Sequence, residues 1–168
     1  AAYRGDTLAL AGALAAEHGG VARLGDVCRL ARAPEASVRA SLGGAFTQIA
    51  DGFVSPAGVV AKARDAYLAR LCAYHAAHRL RPQAPRSEIL AVHVSPLLNL
   101  HVEESLAAAG MIRLSGGYVA LALHNAAENL TLDQTARMDG LARQLQADGL
   151  TPSGTAALIR SPEDAELL

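Results

Sequence analysis

The chain has 168 residues, 51% of them hydrophobic and only 4% aromatic, with a formal net charge of -1. That length permits one domain or two small ones, and the near-neutral balance excludes a segment built for a strong electrostatic grip on nucleic acid, which needs Lys and Arg to neutralise phosphates. No run of 18 or more apolar residues occurs and Leu8 to Ala16 lacks the basic flank of a signal peptide, so no membrane partner is expected. The two cysteines, Cys28 and Cys72, have neither disulfide nor metal spacing and read as buried thiols in a reducing, cytoplasmic setting.

In chain order, Asp6 or Thr7 is positioned to cap a first helix through Leu8, Ala11, Leu14 and Ala15, stopped by His18-Gly19-Gly20. Leu24 to Ala31 reads as a second helix. Pro34, as a first-turn proline, opens a third through Val38 and Leu42 to Gly43-Gly44. Phe46 to Ile49 and Phe53-Val54 flank Ala50-Asp51-Gly52 as a two-stranded ribbon, broken at Ser55-Pro56.

The order then repeats. A longer helix is expected from about Pro56 to Arg79, with Val60, Ala63, Tyr67, Leu68, Leu71, Cys72 and His75 on or near one face. Arg79 to Pro85 contains two prolines and predicts an extended, exposed connector. A short helix opened by Arg86 or Ser87 holds Ile89 and Leu90, and a leucine-rich helix runs from Pro96 to a Gly110 stop. Met111 to Leu114 and Tyr118 to Leu121 then form a second ribbon around Ser115-Gly116-Gly117.

Helices followed by a short ribbon, twice over, predict an α+β, mostly helical chain of tandem winged helices, each a helix-turn-helix with a β-wing. The expected divisions are 1–57 and 58–124, with 125–168 opening a truncated third unit. There, Thr131 caps a helix through Leu132, Met138, Leu141 and Leu145; a shortened second helix is expected over 154–159, and Ser161-Pro162 opens another. The absence of a third ribbon reads as a piece of a longer protein.

Leu71 to Pro82, with Tyr74-His75 and Pro82, followed by Pro85-Arg86-Ser87-Glu88-Ile89-Leu90 and then Leu130-Thr131-Leu132-Asp133-Gln134, resembles the selenocysteine-specific elongation factor SelB family. The likeness is close over about 65 to 150 and only a pattern over 1 to 58. It departs at Gln83 or Ala84, where the family carries Gly, and at Arg79, where Pro is common. The resemblance implies an arm of winged helices linking an N-terminal GTPase to the end that binds an mRNA hairpin, for selenocysteine incorporation at UGA codons. The whole family protein works with that hairpin, selenocysteinyl-tRNA and the ribosome; GTP and magnesium belong to its N-terminal part. This chain carries no GxxxxGK[ST] loop. No cofactor, metal or catalysis is therefore expected of it, and it is read as a spacer with weak or no RNA binding.

Candidate RNA contacts are Arg79, Arg81 and Arg86 on the connector, and Arg39 on the third helix. Tyr74, His75, Pro82 and Leu90 are expected to hold the connector on the second unit, with His75 hydrogen-bonded to backbone there. His75 and His78 are three apart with Cys72 upstream, a spacing in reach of a metal, but the packed reading is preferred. On the leucine-rich helix Asn99, His101, Glu103, Glu104 and Ser105 are the polar set, and two acids there repel phosphates. The alternative is a DNA-binding winged-helix transcription regulator, which would require a basic recognition helix and wing, where only Arg113 stands; a third reading is a protein-interaction module.

Overall fold

The computed structural model describes residues 2–148. It is a mostly helical α+β structure with two three-stranded antiparallel sheets.

The first half contains α1 (Ala2–Glu17), β1 (Ala22–Arg23), α2 (Leu24–Ala31), α3 (Glu35–Leu42), β2 (Phe46–Ala50) and β3 (Phe53–Pro56). The helix α1 does not begin behind Asp6 or Thr7, as expected; both lie inside it. Thr7, Ala11 and Ala15 recur every four residues and are all buried, so Thr7 belongs to the inward ridge, and packing overrides its preference for a cap. The helix ends where the Gly20 N–H donates to the Ala15 carbonyl at 2.7 Å, after Gly19 and Gly20 take positive φ of 65° and 93°. Pro34 caps α3 from outside instead of standing in its first turn. Ala11, Ala15, Leu24, Val27, Val38, Leu42 and Val54 form the first core.

The second half repeats the order with α4 (Ala57–Ala77), β4 (Ala84–Pro85), α5 (Arg86–Ile89), α6 (Pro96–Ala108), β5 (Ile112–Ser115) and β6 (Tyr118–Leu121). Its core gathers Tyr67, Leu71, Ile89, Leu98, Val102, Leu106, Ile112 and Val119. Cys72 is exposed, contrary to expectation: it lies about 100° around the helix from Leu71 and leaves the stripe that Tyr67, Leu71, Tyr74 and His75 bury. Cys28 is half-buried.

Each expected two-stranded ribbon is a three-stranded sheet. The strand orders are β1-β3-β2 and β4-β6-β5, so the same element, a two-residue strand before the second helix, joins each hairpin. Ala22 pairs with Val54, and Ala84 with Val119. The connector is therefore exposed only as far as Pro82; Ala84 is fully buried, and Pro85, with no N–H to donate, ends the edge strand. Ser55 and Pro56 do not break the first ribbon but pair with Thr47 and Phe46.

The halves interlock. Val21 and Ile49 of the first half belong to the second core, and α6 packs on both β2 and α4. The Ser95 N–H donates to the Gly19 carbonyl at 2.9 Å across the joint, and within the first half the Ser55 hydroxyl donates to the neighbouring Gly20 carbonyl at 2.7 Å. A 3₁₀ turn (Ala126–Asn129) then leads into α7 (Leu132–Asp148). As expected, Thr131 caps α7: its Oγ1 accepts from the Gln134 N–H at 3.2 Å, while its own N–H donates to the Gln134 side chain at 3.0 Å. The helices expected beyond it, over 154–159 and from Ser161, lie outside the described residues. Among the described residues no helix is long and apolar enough to cross a membrane.

Candidate nucleic-acid interface

The four candidate arginines lie in three places. Arg39, on α3, donates through Nε to Glu35 one turn earlier at 2.7 Å and through a terminal nitrogen to Gln48 of β2 at 3.0 Å. It ties the helix to the first hairpin, with its charge already facing a carboxylate.

Arg86 turns inward. Its guanidinium makes a two-pronged contact with Glu103 of α6, Nε to Oε1 at 3.1 Å and a terminal nitrogen to Oε2. The Tyr67 hydroxyl donates to the same carboxylate at 2.8 Å, and burial together with that carboxylate raises the phenol's pKa. Contrary to expectation, Glu103 is 1% exposed and is not an outward, phosphate-repelling acid of the helix. A signal for this was present: Glu103 follows Val102 and precedes Leu106 by three, inside the apolar stripe, where an ionised carboxylate requires a cationic partner. Arg86 supplies it from the connector's end, and the pairing raises the Arg86 pKa.

What α6 leaves outward is poorly suited to reading bases. Leu100 and Glu104 are exposed, while the Asn99 amide is spent on the Ala91 carbonyl at 3.1 Å. Base recognition relies on Arg, Asn or Gln side chains free to reach groove edges.

Arg79 and Arg81 stay together, in the turn after α4. The Arg81 side chain donates to the Tyr74 hydroxyl at 3.2 Å. Its carbonyl accepts from His124 Nε2 at 2.9 Å, and the Arg79 carbonyl accepts from the Asn129 amide at 3.3 Å. The linker after β6 thus clips the connector down, whereas His75 does not bond to it as expected. Instead His75 Nε2 accepts from the Leu121 N–H at 3.4 Å, and its ring stacks on His124 with centroids 3.7 Å apart. Burial first, then the nearby His124 and Arg113, lower the His75 pKa to about 4. Tyr74 and Leu90 pack on the second core as expected, but Pro82 is exposed at the edge of an open groove of about 740 Å³ lined also by Leu80, Arg113, His124, Leu130 and Met138. Arg113, on β5, donates to the His124 carbonyl at 2.9 Å. It joins Arg79 and Arg81 at this corner, which the sequence order of the three does not reveal.

No protein-family model matches the chain, and a search of curated proteins finds no match either. Among the described residues no group of three or more His, Cys, Asp or Glu is placed to hold a metal ion.

Proposed function

We propose that this chain is an arm segment of a SelB-type, selenocysteine-specific translation elongation factor, made of tandem winged helices and acting in the cytoplasm. One observation carries the reading: two copies of the same helix, short strand, helix, helix, hairpin order, with identical sheet order, are locked together through Gly19–Ser95 and a shared core. Such an arm suits a spacer that must hold two ends at a set distance. The motif residues support it too, since Tyr74, Leu90 and the Thr131/Gln134 cap fall at structural positions. GTP and magnesium would be handled by an N-terminal part outside this sequence, and the insertion hairpin, selenocysteinyl-tRNA and ribosome by the whole protein. The outward face of α6, with Leu100 and Glu104, speaks against the DNA-regulator alternative.

The test is genetic. Interrupting the gene in its host should abolish read-through of a reporter carrying an in-frame UGA followed by the host's insertion hairpin, and should remove selenium label from proteins. Undiminished read-through overturns the proposal. Anisotropy of the labelled hairpin with this chain, at about 50 and 200 mM salt, should show weak, unselective binding; tight, selective binding would make the chain itself the hairpin grip.

A further inference from the structure

We propose that the groove between the connector and the linker after β6 takes a single-stranded RNA segment through phosphate contacts and base stacking, without reading its sequence. This deepens the proposed function and rests on it for the choice of RNA over other phosphate-bearing chains. Three features of the corner carry it.

The first is shape and lining. The groove, about 740 Å³, is within the range of ligand sites. Leu80, Leu130 and Met138 give it an apolar lining, with Pro82 at its edge, and His124 adds a flat ring. That ring is fixed twice, by stacking on His75 and by its hydrogen bond to the Arg81 carbonyl, so a base laid along it meets a surface already ordered.

The second is charge. Arg113 lines the groove with one terminal nitrogen committed to the His124 carbonyl, which holds the guanidinium in place while leaving other N–H groups for an anion. Arg79 is exposed next to Leu80, with its backbone anchored by Asn129. Glu128 in the linker keeps its negative charge, with the Asn125 amide donating to it at 2.9 Å, but it is not among the residues lining the groove. Cations at the edge of an apolar lining are the arrangement by which proteins hold single strands: phosphates follow the charges and bases stack on flat or apolar side chains.

The third is the contrast with the other candidate arginines. Arg86 and Arg39 are engaged by Glu103 and Glu35, and the outward face of α6 presents Leu100 and Glu104. Arg79 and Arg113 instead are exposed, with Arg113 lining the groove and Arg79 next to its Leu80.

The experiment measures anisotropy of a fluorescein-labelled oligouridylate of about 12 nucleotides with the whole chain, over a range of salt spanning about 25 to 200 mM. Arg113→Gln and Arg79→Gln should each weaken binding several-fold at low salt and each reduce the slope of log K against log salt by about 0.7, the value for one phosphate contact on a single strand. Arg29→Gln, on α2 in the first half, should change neither. Thermal melts of all three variants should match the parent, so that lost binding is not lost folding. Absence of binding at the lowest salt, or equal effects of Arg29→Gln and the groove variants, overturns the proposal. Such a failure leaves the UGA read-through result untouched, whereas lost selenium incorporation with intact groove dependence would be read as support for both.

Discussion

Arg86 and Glu103 form a two-pronged ion pair in which the carboxylate is wholly buried and the guanidinium reaches it from the end of a connector. The pair pins α5 to α6, and Tyr67 adds a third hydrogen bond from α4.

Removing the cation alone leaves a buried, unpaired carboxylate. Arg86→Ala should therefore destabilise the fold by about 3 kcal/mol or more, and Arg86→Met combined with Glu103→Leu should recover most of that loss. Tyr67→Phe should cost about 1.5 kcal/mol, as for a hydrogen bond to a charged group. Urea unfolding of these three variants and the parent at neutral pH measures all of these, and a double variant no more stable than Arg86→Ala would refute the pairing.

His75 makes stability depend on pH in a defined window. Its folded pKa, about 4, is below the ordinary 6.5, so as pH falls the unfolded chain takes up the proton first. Stability from this site is complete above about 6.5, declines as pH falls towards 4 and is level below that. Thermal melts between pH 7.5 and 4 should show the decline, and His75→Gln should flatten its share of the slope. Burial disfavours the charged ring first, and the nearby His124 and Arg113 add to this; protonation would also set a second N–H against the Leu121 N–H.

Gly19 and Gly20 test the joint between the halves. A Cβ on Gly19 would sit 2.8 Å from the Ser95 backbone nitrogen, and one on Gly20 would sit 2.9 Å from Val59 Cγ1 and 3.0 Å from Leu98 Cδ2. With left-handed φ added, Gly19→Ala should cost about 2 kcal/mol or more and speed amide exchange at Ser95. Gly12→Ala, inside α1 with nothing within 4 Å, should instead stabilise by about 0.5 kcal/mol.

The Thr131 cap acts locally. Thr131→Ala should cost α7 about 1 kcal/mol, seen as faster amide exchange at Gln134 and the residues after it, with the main melting transition unmoved.

Much of the architecture is legible in the sequence. The hairpins around Gly52 and Gly116, the bounds of α2, the start of α6 at Pro96 and the cap at Thr131 follow from local rules, because turns, caps and helix stops are chosen within four or five neighbouring residues. The strands β1 and β4 were not legible: two residues cannot display a period of two, and pairing with a distant hairpin makes them strands.

The site divides along the same line. Residue types alone placed arginines on the connector and gave a near-neutral net charge of -1. Which arginine faces outward depended on a partner elsewhere in the chain. Glu103, 17 residues away, draws Arg86 inward, while His124, 43 residues from Arg81, clips the connector down beside Arg113. Local sequence sets backbone preference within a turn or two; the destination of a charged side chain depends on the counter-charge that folding brings to it, and only packing in three dimensions brings those groups together.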